Sequence, residues 1–591
     1  MKDIEFRWMC RRCRRCQCWS SPPRPPRTHQ QWRRRRSLAP SRQWILCASP
    51  ADTTAKTLTG CFCFDEYGRP FLILQDEDKQ DRLTGMEAIK SHILAARSVA
   101  DKLRTSLGPK GMDKILVTPE GESVVTNDGA TILELMDPEN EVAKLMVSLA
   151  KAQDREVGDG TTGVVVLAGA LLQEAAYLLD KGVHPTRISE GYQIAARAAL
   201  AHLDQISFRV SVSGEDTVWL LRAAKTALSS KIASRSRDHL AEIVVAAFKS
   251  TCDLWVLNPV LNVNSIVLTG NAGGVVEDSG LIRGVVIKGR SDIKETLMDL
   301  KVAVFPGSAL QLPKVHTRHH VSVDDMTSYN DLKDFVKDWW AKQVVEVVNK
   351  SGTQFLLCSN KMEETLYSLL LQNGIHVVEN VADIEMVAAL VGAHVVSKAE
   401  ELSCEKLGKI DQVRVLESRD NVKSFALEQN GRSKIVTIEV CGTNQPIVEE
   451  VKRSLQDAIC VVRNLIKDSA VVCGGGAAEI SCSVALQQQS LSFSTLEQLI
   501  FQAFAEALDS IPYALAENAG LYPLEVISEL KVCHKPTLGV DCMSTGDNDM
   551  LTQGVVEGLQ SKKHQIVMAT QLAAVVLKID DIRGPKDQIK K

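Results

Sequence analysis

The sequence predicts a multidomain α and α/β protein in which one helical domain is assembled from both chain ends and an α/β layer is inserted between them. Three observations lead there. The chain has 591 residues, too many for one hydrophobic core and enough for roughly three or four domains. Glycine turns suited to a charged ligand occur at 106–111, 158–163 and 474–476; if all three serve one nucleotide, the two ends of the chain must meet. Strand-like runs such as Val285–Lys288 and Val302–Phe305 alternate with helices only between those ends, over residues 266–425, as in an α/β layer.

Composition narrows the class. Hydrophobic content of 45% and charged content of 24% are ordinary for a soluble globular chain, and no apolar run is expected to reach bilayer-spanning length. The net charge of -4 hides an asymmetry: residues 1–50 hold Lys2 and twelve arginines against Asp3 and Glu5, leaving the rest near −15. An acidic body argues against nucleic acid as the main partner. Sixteen scattered cysteines make no disulfide framework and point to a reducing cytosol. Cys460, Cys482 and Cys542 sit among apolar residues and are expected as core fillers.

Residues 1–60 resemble no other part of the chain. They carry arginine clusters, the Pro22–Pro26 run and Cys10, Cys13, Cys16 and Cys18. The cysteine spacing is irregular for a metal site, and the expectation is a disordered basic extension. Order is expected from Phe64-Asp65-Glu66-Tyr67-Gly68-Arg69-Pro70. Helical periodicity follows from Met86 to Arg104, with Ile89, His92, Ile93, Ala96 and Ala100 on one face. It stops at Ser106-Leu107-Gly108-Pro109-Lys110-Gly111, because a glycine followed by proline ends a helix.

Val124-Val125-Thr126-Asn127-Asp128-Gly129 reads as a strand, a turn and a helix start, with Asp128 either a cap or a functional carboxylate beside the loop about thirty residues on. That loop is Gly158-Asp159-Gly160-Thr161-Thr162-Gly163, opening an apolar helix that runs to Asp180. Glycine permits positive φ, and free amides at a helix start favour an anion. Asp159 is misplaced for phosphate unless a hard cation such as Mg²⁺ lies between them; otherwise the stretch is a capped helix start. Ser229-Ser230-Lys231 separates two further helices within 208–265. Pro313–Asp325 is a basic loop whose His316, His319 and His320 lack metal-ligand spacing. The next helix carries Leu332, Phe335, Val336 and Trp339 at helical spacing, for packing or for a partner.

Ile447–Lys467 is a long helix in which Asp457 follows Arg453 by four residues, an ordinary i,i+4 pair. A triple glycine, Gly474-Gly475-Gly476, precedes the next helix, and Thr495 with Gln498 form a capping-box pattern. No Gly-x-x-x-x-Gly-Lys-Ser/Thr run is present, which excludes a P-loop.

Thr105-Ser106-Leu107-Gly108-Pro109, Thr126-Asn127-Asp128-Gly129-Ala130-Thr131, Gly158-Asp159-Gly160-Thr161-Thr162 and Gly474-Gly475-Gly476-Ala477-Ala478-Glu479 together resemble the signatures of group II chaperonins, in that family's order and spacing. Phe64–Phe71, Arg463-Asn464-Leu465-Ile466 and Ile579-Asp580-Asp581-Ile582-Arg583 resemble the epsilon class of its eukaryotic cytosolic (T-complex) branch.

The resemblance implies chaperonin architecture. An equatorial domain from 64–207 and 471–591 would bind ATP, an intermediate hinge would comprise 208–265 and 426–470, and an apical domain over 266–425 would bind clients and carry the lid protrusion. It implies an ATP hydrolase and chaperone of the cytoplasm, working in a hetero-oligomeric double ring of paralogous subunits on unfolded proteins such as actin and tubulin. Residue by residue, it implies Asp159 as the Mg²⁺ ligand and Gly108, Gly160, Thr161, Thr162 and Gly475 as nucleotide contacts. Ser230, Asp541, Glu557 and Lys562 match further nucleotide positions, and Asp128 and Asp457 match the catalytic carboxylates, Asp457 being delivered by hinge closure. Cys441-Gly442-Thr443 departs from the family's arginine-glycine-glycine turn, and the segments Asn258–Gly270 and Val377–Ile384 match poorly. These departures define the alternative, a diverged ATP-binding paralogue outside any active ring.

Overall fold

The computed structural model describes residues 58–64, 70–76 and 85–582, except 119–120, 122, 213–215, 253–262, 294, 308, 311–321, 323–324, 417–423, 430–434, 494–495 and 534. The cysteine group, His316, His319, His320, Thr495 and Arg583 lie outside the described residues. The chain divides into two units, 1–82 and 83–591. In the first, Leu58–Phe64 pairs antiparallel with Pro70–Asp76, in register from Leu58 opposite Asp76 to Phe64 opposite Pro70. The limit expected at residue 60 therefore falls inside a strand. Phe64 and Pro70, the ends of the stretch where order was expected to begin, close one strand and open the other, and a strand is recognisable only with its partner. Pro70 stands at a strand's first residue, where its missing N–H is tolerated.

The second unit mixes helices with α/β structure, and its first core is helical. Helices Met86–Arg104, Glu141–Glu156, Thr161–Asp180 and Pro185–Ile206 pack with Ala477–Ser490, Leu496–Leu508, Ser510–Ala519 and Leu559–Val576. Thr161–Asp180 runs through the middle, which is why it is apolar on nearly every side. It is long and apolar enough to cross a membrane by length and composition, contrary to the expectation that no run reaches that length. Most of it is buried inside the unit.

A second core joins helices Val218–Ser229, Arg237–Thr251 and Gln445–Lys467 to a three-stranded sheet. Val436–Gly442 is central there, parallel to Ile266–Ala272 and antiparallel to Gly280–Ile282. The diverged Cys441-Gly442-Thr443 turn still closes. The Gly442 carbonyl accepts from the amides of Gly273 at 2.7 Å and Gly274 at 3.3 Å, and Asn444 caps the long helix through the Ile447 amide at 3.2 Å.

The layered part is a six-stranded mixed sheet in the order His376–Val378, Phe355–Cys358, Leu297–Phe305, Gly408–Leu416, Ser424–Glu428 and Gly284–Lys288. Side chains alternate between its faces. Val302, Val304, Phe355 and Leu357 pack toward Ile384–Val391, while Ala303, Phe305, Leu356 and Cys358 pack toward Met326–Ser351 and Glu364–Gln372. Strand composition at 266–282 fitted this sheet, but those strands pair with Val436–Gly442 instead; composition identifies strands without their partners. Leu332, Phe335, Val336 and Trp339 are exposed on the first turns of Met326–Ser351.

Candidate functional site

Two helices start at one cleft without side-chain caps. Thr161–Asp180 follows Gly160, and Ala477–Ser490 follows Gly476. Uncapped first-turn amides with the helix dipole behind them attract an anion. Gly158 has φ +77, and a Cβ there would lie 2.5 Å from Cys460 Cβ on the long helix, so the loop can approach that helix only as glycine. Gln153 Nε2 steadies the loop by donating to the Asp159 carbonyl at 2.9 Å. Opposite, Gly108 has φ +88, and its added Cβ would meet Leu515 Cδ2 at 2.5 Å. Asn518 Nδ2 donates to the Arg104 and Leu107 carbonyls at 2.9 and 2.8 Å, fixing this turn to the C-terminal half of the chain. Gly108→Ala is expected to cost about 1–3 kcal/mol in backbone strain and to weaken nucleotide binding, read by calorimetric titration. An unchanged dissociation constant would remove Gly108 from the site.

The cleft has a volume of about 470 Å³ and brings together Gly108, Asp128, Asp159, Gly160, Thr161, Thr162, Ser230, Asp457, Gly475, Glu557 and Lys562. Asp128 caps helix Gly129–Met136: its Oδ2 accepts from the Thr131 amide at 3.0 Å and hydroxyl at 2.7 Å. Its Oδ1 accepts from the Thr161 hydroxyl at 3.0 Å. Asp128 is therefore a helix cap that also lines the cleft. Burial opposes ionisation, but the Lys231 charge and these hydrogen bonds outweigh it and hold the carboxyl below its ordinary value.

Asp457 does not take the i,i+4 partner that local spacing suggests. Its Oδ2 meets Lys231 Nζ at 2.6 Å, whereas Arg453 turns to Glu450 at 3.2 Å. It already lines the cleft in this conformation, because Lys231 and the long helix belong to the same second core and the pair forms within it. Burial pushes the Asp457 carboxyl up to about 7, against the pull of Lys231. Lys231 is itself raised: desolvation opposes its charge, but Asp457 and Asp128 outweigh that. Asp457 is raised mainly by its burial and Lys231 by the carboxylates around it.

Asp159 accepts from the Gly160 amide at 2.7 Å and makes no ion pair among the described residues. Desolvation raises its carboxyl despite Lys231. A surplus of negative charge around Asp128, Asp159 and Asp457 is the environment a hard cation would relieve. The described residues contain no group of three or more His, Cys, Asp or Glu side chains arranged for a metal. Mg²⁺ does not require such a group, since it commonly takes one or two carboxylates with phosphate and water completing its shell.

Ser230 ends helix Val218–Ser229 and its carbonyl accepts from Asn127 Nδ2 at 2.9 Å. Lys562 Nζ is held between Glu479 at 2.5 Å and Glu557 at 2.8 Å. Burial opposes its charge, but the two carboxylates keep it protonated. Asp541 stands apart from the other expected residues. Val540 and Cys542 line the cleft beside it, while its own carboxylate accepts from the Gly546 and Met543 amides at 2.8 and 3.2 Å. Although burial opposes this, hydrogen bonds from the Gly546 amide and the Thr545 and Gln553 side chains hold it below its ordinary value.

Sequence reasoning missed Lys231, Arg222, Lys225 and Arg237, which also line the cleft. Arg222 stacks 4.8 Å from the Trp219 ring centroid, and Lys225 pairs with Asp238 at 2.8 Å. The available signal for Lys231 was its polar place between two apolar helices, which gives a position without a partner.

Comparison with known proteins gives a consistent result. Residues 99–586 match the TCP-1/cpn60 chaperonin family. The chain is 38% identical over 528 residues to the T-complex protein 1 subunit epsilon of Encephalitozoon cuniculi, covering 88% of this chain and 98% of that one. It is 37% identical over 525 residues to a thermosome subunit of Pyrococcus abyssi, covering 87% and 94%. A thermosome subunit of Pyrococcus horikoshii gives the same identity and coverage.

Proposed function

Because the chain belongs to the TCP-1/cpn60 chaperonin family, we propose that it is a subunit of a double-ring group II chaperonin that hydrolyses ATP to fold encapsulated proteins. The observation that carries this is the convergence, in one cleft, of glycine turns from both chain ends with Asp128, Asp159 and the Lys231–Asp457 pair. The helical core is then the equatorial nucleotide domain, the second core the intermediate hinge, and the six-stranded layer the apical, client-binding domain. Strands Ile266–Ala272 and Gly280–Ile282 go with the hinge because they pair with Val436–Gly442.

In this reading the amides at Gly108 and Gly160–Gly163 and the Thr162 hydroxyl hold phosphate oxygens, while the Thr161 hydroxyl still donates to Asp128. Asp159 would hold Mg²⁺, which when bound neutralises charge on the transferred phosphoryl group. Lys231 presents its charge to the same region. Asp457 accepts a proton from the attacking water, and Asp128, whose carboxylate is already oriented by Thr131 and Thr161, positions that water. Gly475 and the Glu557–Lys562 wall enclose the rest of the nucleotide. Asp457 and Lys231 stand on the second core and Asp128 and Asp159 on the first, so hinge motion would assemble or open the site.

The likeness to the T-complex epsilon subunit supports a cytoplasmic ring of paralogous subunits, with clients such as actin and tubulin. The test is the endogenous chain fractionated by size and assayed for ATP turnover. Magnesium-dependent hydrolysis co-migrating with a megadalton assembly is expected. An ATP-binding chain running as a monomer would favour the diverged paralogue instead.

A further inference from the structure

Several polar contacts tie the first core to the second. Asn127 Nδ2 reaches the Ser230 carbonyl at 2.9 Å, Asn464 Nδ2 reaches the Val157 carbonyl at 2.9 Å, and Gln560 Nε2 reaches Asp468 Oδ2 at 2.9 Å. A further one involves Glu450, a fully buried carboxylate on the long helix, seven residues before Asp457. Seven residues are about two turns, so both carboxylates lie on one helix face. Glu450 lies against the Thr126 hydroxyl and the Asn127 amide. The Thr126 oxygen accepts from the Asp128 amide at 3.1 Å, and Asp128 in turn accepts from Thr161 at 3.0 Å. The backbone under Asp128 is thus contacted by the helix that carries Asp457.

Neither Glu450 oxygen closes a well-aligned hydrogen bond. Its nearest cation, Arg453 Nη1, lies 3.2 Å away on the next turn and is likewise without one. A buried carboxylate so incompletely satisfied is costly and is out of place in an interface that serves only packing. Resting on the ATPase reading above, we infer that Glu450 is a positioning residue: by docking on Thr126–Asn127 it sets the register between the two cores in which Asp457 and Lys231 meet Asp128 and Asp159. Its partial satisfaction makes that docking reversible, as a hinge contact must be.

The test compares Glu450→Ala, the near-isosteric Glu450→Gln, Asp457→Ala and the Glu450/Asp457 double alanine variant in the full chain. A misplacement of about 1 Å can cost on the order of 100-fold in rate. Glu450→Ala is therefore expected to lower kcat by about 10- to 100-fold with KM for ATP within about twofold. Glu450→Gln, which keeps an acceptor for Thr126, recovers most of that loss. The double variant is no slower than Asp457→Ala alone, because both changes act through one group. Independently of turnover, Glu450→Ala raises hydrogen exchange at the Asn127 and Asp128 amides in the nucleotide-free chain. Parallel losses in kcat and KM, multiplicative losses in the double variant, or unchanged exchange would each overturn the inference. If the wild-type chain hydrolyses no ATP, the ATPase reading fails by itself, and the exchange result alone decides for or against Glu450.

Discussion

Asp457→Ala is expected to bind ATP with nearly wild-type affinity and to turn it over at least about 100-fold more slowly, within the range that a general base contributes. The separation follows from placement. The amides proposed to bind phosphate and Asp159 are on the first core, whereas Asp457 stands on the second and touches Lys231. Removing Asp457 also leaves Lys231 facing Asp128 and Glu450, so the cation keeps partners and the fold should tolerate the change.

The pH profile gives a second readout. The ordinary Asp value is 3.8, and burial pushes Asp457 up to about 7. A base must be ionised, so wild-type kcat/KM should rise with pH and level above about 7, while the residual activity of the variant loses that limb. Asp457→Asn should behave like the alanine variant, since it keeps the shape without the proton acceptor. Titration calorimetry and steady-state kinetics check both claims; equal loss of binding and turnover would remove Asp457 from the chemistry.

What could be read in the sequence, and what could not, divides along the range of the forces involved. The turns at Gly108 and 158–163 were legible because backbone conformation is local: Gly108 with Pro109 ends a helix, and glycines with positive φ before an apolar helix identify themselves. Helix Thr161–Asp180 was legible as buried from its apolar run. Asp457 was chosen by resemblance, and local spacing then gave it the wrong partner, since an i,i+4 rule cannot see a lysine 226 residues away. Lys231 showed only its polar place between two apolar helices, because a buried cation's partners are defined by the carboxylates around it. Asp541 was placed in the cleft by motif, yet its carboxylate is used by the Gly546 and Met543 amides of its own turn. The strands at 266–282 failed for the related reason that a strand's composition says nothing of its neighbour.

Lys231→Ala should be the most damaging single change at the site, and its damage should depend on pH. Lys231 and Asp457 are only 9% and 14% exposed, and removing one partner of a buried pair costs on the order of 3–5 kcal/mol. Here the lost partner is the cation shared by Asp128, Asp159 and Asp457, so the site keeps its carboxylates without their counter-charge. Proton uptake by Asp457 is the available relief. Its folded value, about 7, lies above its ordinary 3.8, so between those values the folded chain holds a proton that the unfolded chain has released. Stability from this group therefore falls as pH rises, by up to about 1.4 kcal/mol per pH unit per proton. In the wild type that fall ends near pH 7. Without Lys231 the carboxyl is raised further, and the fall continues above 7. The difference in thermal midpoint between wild type and Lys231→Ala should accordingly widen from pH 6 to pH 8.5, while Lys231→Arg, which keeps the charge, narrows it. A gap that stays constant across that range would mean that Lys231 does not set the ionisation of the cluster, and the electrostatic account of the site would fall with it.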